Sequence, residues 1–315
     1  MLKYQATDPA GGRIRSEASR TLPFLAFIDP VRRPPPSAAP APRQGADGLT
    51  PAGSGGFAIA RRIAFINEKG GSGKTTLVTN LAAFLALERG RRVLVVDMDP
   101  QGQLGKVLGI EVRQQRRTSI ELLVDSLLPG TGPATPEAEP AQGSLPVLET
   151  RIPGLDAIVA NKALALFPSW TQSPGSDPSG AAQDIDAATL RLRESLDAAG
   201  VDDRYDYVLF DAPPSFGPLT LNVLRASGEV VIPVPLTFLA LDGSAELMRT
   251  VETTRTRYDN PELAVTMVVP TFYRRTKLAH EILDVLRQRF GKSLSETIVG
   301  YSVRVDEAQS RGLSI

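Results

Sequence analysis

The 315-residue chain has no cysteine. That absence removes disulfides, thiolate nucleophiles, zinc ribbons and iron–sulfur ligands together, and it fits a reducing cytosol. There is no excess of either charge, since 35 Lys+Arg balance 35 Asp+Glu. A whole-molecule basic field is therefore excluded, and any contact with a polyanion must come from a local patch. No apolar run is long enough to cross a bilayer. The start of the chain lacks the basic-then-apolar order of a secretory signal, because Leu22–Ile28 is short and broken by Pro23. The expectation is a cytoplasmic protein with no membrane partner. Histidine and tryptophan occur once each. His280 falls on the polar face of an expected helix whose apolar stripe is Leu278, Ile282, Leu286 and Phe290, and Trp170 sits in a Pro/Ser loop, where packing the loop down is expected ahead of a partner contact. What the chain does have is 42% hydrophobic residues, enough to bury the core of one large α/β domain or two small ones.

The first 60 residues are rich in Pro, Ala, Gly and Arg, with Pro34-Pro35-Pro36 breaking any period, and read as a disordered tail. At Arg62 the texture changes. Ile63-Ala64-Phe65-Ile66 is a short apolar run ended by a glycine-rich loop; a helical pattern then runs from Thr75 to Leu87 and closes at Gly90. Val93-Leu94-Val95-Val96 follows as a continuous apolar run, which suits a strand covered on both faces of a parallel sheet. Further apolar runs at Tyr207–Phe210, Glu229–Val234 and Val265–Val269 alternate with helical patterns at Ala187–Ala199, Leu239–Tyr258 and Lys277–Phe290. Loops are expected at Pro129–Pro146 and Pro168–Gly180. The fold expected for residues 61–315 is a doubly wound, mostly parallel α/β sheet flanked by helices.

Between the first strand and helix lies Asn67-Glu68-Lys69-Gly70-Gly71-Ser72-Gly73-Lys74-Thr75-Thr76. Glycines at Gly70, Gly71 and Gly73 let the backbone curl so that several N–H groups and the helix N-terminus face one anion. Lys74 adds a full charge against the β- and γ-phosphates, and Thr75 supplies a hydroxyl for magnesium. Lys69 to Thr76, Ser72 included, form the candidate nucleotide-binding loop. The ordinary phosphate-loop pattern wants glycine where Glu68 stands; a lysine follows instead, at Lys69. The second strand ends in Asp97-Met98-Asp99-Pro100-Gln101-Gly102, and another ends in Asp211-Ala212-Pro213-Pro214. Both place carboxylates at the carboxyl ends of strands, where open α/β sheets bind ligands.

Together these stretches resemble the deviant Walker A P-loop ATPases of the ParA/MinD family, most closely its ParA-type partition members. The resemblance runs from about Arg61 to Ile315 and takes in Ile152-Pro153-Gly154-Leu155-Asp156, Val231–Val234 and Val303–Ala308. It implies that Lys69 reaches the phosphates held by the other subunit of an ATP-bound homodimer. It also implies that Asp99 orients the attacking water and that Asp97 and Asp211 lie at the magnesium. A ParB-like or other stimulating partner, and a nucleoid-associated state when ATP is bound, are further expectations. Three departures stand out. Gly300-Tyr301 replaces a proline–arginine pair that bears on the adenine contacts, Arg274-Arg275 follows Tyr273 where an aspartate is usual, and the chain stops at Ile315 where relatives continue into a further helix.

ATP is expected rather than GTP, because neither Asn161-Lys162-Ala163-Leu164 nor Thr276-Lys277-Leu278-Ala279 ends in the aspartate of a guanine-reading segment. The last third carries Arg249, Arg255, Arg257, Arg274, Arg275, Lys277, Arg287, Arg289 and Lys292. These are either a solvated face paired with Glu252, Asp259, Glu281 and Asp284 or a surface for non-specific DNA, with Arg249, Arg274, Arg275 and Lys277 as candidate contacts. The expected activity is ATP hydrolysis that drives DNA partition or cargo positioning. ATP-dependent synthesis on a small molecule and a non-catalytic ATP switch are the alternatives. The nitrogenase-reductase branch is excluded by the missing cysteines.

Overall fold

The computed structural model describes residues 59–124, 144–167, 185–237 and 240–313. The expected tail, apart from its last two residues, lies outside the described residues, as do Trp170 and most of the two expected loops.

Seven strands form one sheet: β1 (Arg61–Phe65), β2 (Val93–Asp97), β3 (Leu148–Glu149), β4 (Leu155–Ile158), β5 (Tyr207–Asp211), β6 (Glu229–Pro235) and β7 (Ala264–Thr271). Their order is β3-β4-β2-β5-β1-β6-β7, with only the β3–β4 pair antiparallel. Helices are α1 (Lys74–Arg89), α2 (Gln103–Val107), α3 (Arg191–Ala198), α4 (Val201–Arg204), α5 (Pro218–Arg225), α6 (Ala240–Arg257), α7 (Lys277–Phe290) and α8 (Val303–Ser310). The expected doubly wound sheet is what forms, because every residue of β2 and β5 is buried, as continuous apolar strands require when helices cover both faces.

The topology also positions the site. β1 is flanked by β5 on one side and β6 on the other, so its carboxyl end opens into the crevice where a doubly wound sheet takes its ligand. Asp97 at the end of β2 and Asp211 at the end of β5 are direct register partners. In-register residues of parallel neighbours share a face of the sheet, so the two carboxylates arrive side by side.

Two elements were not anticipated, and two expectations are corrected. The strand at Leu155–Ile158 is a full member of the sheet; its apolar run is interrupted by Asp156, which accepts a 2.8 Å hydrogen bond from Tyr205 Oη. Pro218–Arg225 is helical, with proline in its first turn, where the missing N–H costs nothing. The segment expected as one helix over Ala187–Ala199 is helical at 185–188, turns at Thr189-Leu190 and is helical again from Arg191, because buried Asn222 accepts from Leu192 N–H and donates to the Ala188 carbonyl, dividing it. In α7 the buried side is Ala279, Ile282, Leu283 and Leu286, whereas Leu278 is exposed. A strict four-residue spacing drifts by about 40° per step around a helix, so the stripe from Leu278 to Phe290 cannot stay on one side. His280 is exposed as expected, edge-on to Tyr273.

Candidate nucleotide-binding site

The loop after β1 curls as its glycines allow. Gly71 and Gly73 take φ of 67° and 91°, a region costly for residues with a Cβ. A Cβ on Gly70 or Gly71 would meet nothing within 4 Å, so the front of the loop stands open to a ligand. Its back is braced from far along the chain. Thr271 Oγ1 donates to the Ser72 carbonyl at 3.0 Å, and the Phe272 ring lies 3.6 Å from where a Cβ on Gly73 would be. Asn67 ties the entrance, accepting from Lys69 N–H at 2.8 Å and donating to the Pro233 carbonyl at 2.6 Å. Lys74 is buried, and its Nζ donates to the Asn67 carbonyl at 2.9 Å. Burial lowers its pKa, partly offset by the charges of Asp211 and Asp99.

The carboxylates converge on this loop. Thr75 Oγ1 donates to Asp211 Oδ2 at 2.6 Å, and Asp97 Oδ1 accepts from Asp99 N–H at 3.0 Å. The second oxygens, Asp97 Oδ2 and Asp211 Oδ1, are buried with no hydrogen-bond partner. Burial, reinforced for each by a neighbouring carboxylate, pushes both carboxyls up, Asp211 to about 7 despite the Thr75 hydrogen bond and the charge of Lys74. Two orphaned carboxylate oxygens beside a threonine hydroxyl make a hard oxygen donor set, and a divalent cation supplies the charge it lacks. Among the described residues no group of three or more His, Cys, Asp or Glu could hold a metal. Two carboxylates and a hydroxyl are a share of ligands that magnesium could take, since it completes its shell with water and substrate phosphates.

A cavity of about 460 Å³ opens over the loop, lined by Gly70–Leu77, Asp99 and Gln101 together with Phe272, Tyr301, Asp306 and Gln309. This is the size of a small-ligand pocket. Gln309 Nε2 donates to Thr76 Oγ1 at 2.8 Å, fastening α8 to the first turn of α1. Lys69 Nζ donates to Thr237 Oγ1 at 3.1 Å, just beyond β6.

The structure thus brings together Lys69 to Thr76, Asp97, Asp99 and Asp211. Sequence reasoning gave no role to Asn67, Thr237, Thr271, Phe272 or Gln309. Thr271 and Phe272 stand in a stretch that invited comparison with the family, but Gln309 carries no local signal. The cations of the last third divide. Arg255 pairs with Glu252, Lys277 with Glu281 and Arg287 with Asp284, all exposed pairs of the kind worth little in solvent. Arg274 lies over the Tyr301 ring, 4.1 Å from its centroid. Arg249 and Arg275 are exposed. Among the described residues no helix is long and apolar enough to cross a membrane.

Comparison with known proteins agrees with this geometry. A family model described as an AAA domain matches residues 60–265. The chain is 38% identical over 256 residues to the chromosome partitioning protein ParA of Caulobacter vibrioides, covering 80% of this chain and 85% of that one. It is 39% identical over 259 residues to the chromosome-partitioning ATPase Soj of Thermus thermophilus, covering 82% and 88%. Among solved structures, cobyrinic acid a,c-diamide synthase from Mycobacterium smegmatis with bound ADP and magnesium superposes with a TM-score of 0.63 at 28% identity, over 80% of this chain and 92% of that one. A glycine loop braced against the strand ends, paired buried carboxylates and this kinship lead to one assignment: the chain belongs to the ParA/MinD family of P-loop ATPases.

Proposed function

We propose that this protein hydrolyses ATP to ADP and phosphate as an ATP-dependent homodimer, binds DNA without sequence preference, and uses the cycle to partition DNA or position a cargo, with a ParB-like or other partner stimulating turnover. The observation that carries the nucleotide part is the pair of buried, unpartnered oxygens of Asp97 and Asp211 set beside Thr75 and Lys74 under an open glycine loop. Phosphoryl transfer depends on positioning and charge neutralisation more than on covalent help, and these residues supply both. The backbone N–H groups of Gly70 to Thr76 and the ammonium of Lys74 receive the phosphates. Thr75, Asp97 and Asp211 would hold magnesium, which would supply positive charge against the phosphate oxygens. Asp99, on the cavity wall, accepts a hydrogen bond from the attacking water and so orients it. Lys69 leaves Thr237 and turns to the phosphates bound by the second copy, a role like that of arginine fingers, which are worth roughly 10³–10⁵ in rate.

Arg249, Arg275 and Lys277 provide the DNA phosphate contacts, and two copies in a dimer double their number. The test is DNA binding at several salt concentrations with ATP, with ADP and without nucleotide, for the wild type and for Arg275→Glu/Lys277→Glu. Binding that requires ATP, weakens steeply with salt and disappears in the variant supports the reading. No binding under any nucleotide overturns the DNA role and favours ATP-dependent synthesis on a small molecule, the activity named for the cobyrinic acid relative.

A further inference from the structure

A second cavity, of about 670 Å³, lies at the amino ends of β1 and β6, the opposite end of the sheet from the nucleotide loop. Arg61 and Arg62 at the start of β1, Gly228 and Glu229 at the start of β6 and Glu262 just before β7 are on its wall. Its arginines are already committed. Arg61 Nε and Nη2 each donate to Glu229 at 2.7 Å, Arg62 pairs with both Asp197 and Asp202, Arg193 lies 3.8 Å from Asp197, and buried Arg225 pairs with Asp186. Four lining arginines thus meet five lining carboxylates, with Asp186 a sixth, on Arg225. The two carboxylates left over are those of Asp203 and Glu262. Both residues are exposed, and neither side chain has a partner among the described residues. The cavity is short of positive charge.

The chain itself can supply that charge. Ile59, the first described residue, is on the cavity wall, so the preceding chain joins the fold at the cavity's rim. Residues 33–46 carry Arg33 and Arg43, five prolines and no acidic residue. The 12 residues between that segment and Ile59 can span at most about 40 Å, a tether that sets an effective concentration on the order of millimolar at the cavity. Weak contacts suffice at such a concentration, and exposed ion pairs are weak, each worth about two- to fivefold. Proline has its φ fixed beforehand, so ordering a proline-rich stretch costs less than ordering an average one. We infer that residues 33–46 fold back into this cavity, where Arg33 and Arg43 pair with Asp203 and Glu262 and proline rings cover Ile59, which is 78% exposed. Both arginines are then held at the end of the sheet away from the nucleotide and withheld from other acidic partners.

Limited trypsin digestion of the full chain, without nucleotide or DNA, reads this directly. Trypsin cleaves the Arg43–Gln44 bond but not Arg33–Pro34, and cleavage after Arg20, outside the segment, is the internal reference. The proteins are the wild type, Asp203→Asn/Glu262→Gln, and Arg33→Gln, which leaves the cavity untouched. At low salt, cleavage after Arg43 relative to Arg20 is expected to rise about fivefold or more in Asp203→Asn/Glu262→Gln and about two- to threefold in Arg33→Gln. Raising the salt to about 0.5 M should bring the wild type up to the double variant, whose own ratio moves by less than about twofold. Dilution by about tenfold should leave the wild-type ratio unchanged, since the tether and not the protein concentration sets the docking. Equal ratios in the three proteins at low salt would overturn the inference and leave the cavity to another occupant. Protection of Arg43 that survives both the neutralised cavity and high salt would overturn it as well, by placing the segment elsewhere. Protection that is lost on dilution would overturn docking within one chain and assign the cavity to the tail of a second copy.

Discussion

Neutralising Asp211 separates what this carboxylate does for the fold from what it does for magnesium. Asp211 is fully buried, and burial moves its carboxyl from the ordinary 3.8 to about 7. At about 1.36 kcal/mol per pH unit, the ionised form therefore costs the cation-free fold on the order of 4 kcal/mol at pH 8. The sign follows from proton counts. Between pH 4 and 7 the native state binds more protons at this site than the unfolded chain, so stability falls as pH rises through that window. Cation-free wild type is expected to be more stable at pH 5.5 than at pH 8. Asp211→Asn keeps the shape and still offers an acceptor to Thr75 Oγ1, now 2.6 Å from Asp211 Oδ2. It is expected to be more stable than wild type at pH 8, by up to about 4 kcal/mol, and to show a flatter pH profile. It also relieves Asp97, one cause of whose raised pKa is the charge of Asp211. Urea unfolding at pH 5.5 and 8 with EDTA measures this directly, and repeating it with Mg²⁺-ADP should reverse the order, because the wild type, with both carboxylates ionised, gains more from the cation. An Asp211→Asn protein less stable than wild type at pH 8 in EDTA, or one with the same pH slope, would refute the reasoning.

Other substitutions test the remaining parts of the site. Lys69→Ala is expected to bind ATP within about threefold of wild type, since Thr237 is its partner within the chain, but to lose at least about 100-fold in partner-stimulated turnover, measured as phosphate release. Asp99→Ala should retain ATP binding and lose about 10² or more in hydrolysis, leaving the nucleotide uncleaved in a single-turnover assay. Gly102→Ala should destabilise the fold by roughly 2–3 kcal/mol in urea melts, because Gly102 sits at φ 59° and an added Cβ would lie 2.6 Å from the Ala160 carbonyl oxygen. A wild-type midpoint for that variant would contradict such close packing at the start of α2.

The phosphate end of the site was legible in the sequence because its parts are contiguous. Lys69 to Thr76 stand together between an apolar run and a helical pattern, and Asp97 and Asp211 each close a run of buried apolar residues. Local chemistry and local structure point the same way there. The residues that brace the loop were illegible for the opposite reason. Phe272 and Gln309 reach the loop only because the sheet order places β7 beside β6, which borders β1, and pairing between distant strands leaves no periodic trace. β4 escaped notice because Asp156 breaks its apolar run and is satisfied by Tyr205, 49 positions away. In α7 the period was right but the phase was wrong, since Leu278 faces out and Ala279 faces in.

The central place of β1 has a consequence for how the protein is made. Arg61–Phe65 carries the nucleotide loop, yet it pairs with no strand until Tyr207–Asp211 exists, and its other edge waits for Glu229–Pro235. The gap is about 140 residues, which at typical synthesis rates is roughly 7–30 s on the ribosome. Through that interval Ile63, Ala64 and Phe65 present two unpaired edges on a chain that cannot yet close its sheet. Nascent chains released before Asp211 should therefore be insoluble, and holdase chaperones should engage this protein early in its synthesis.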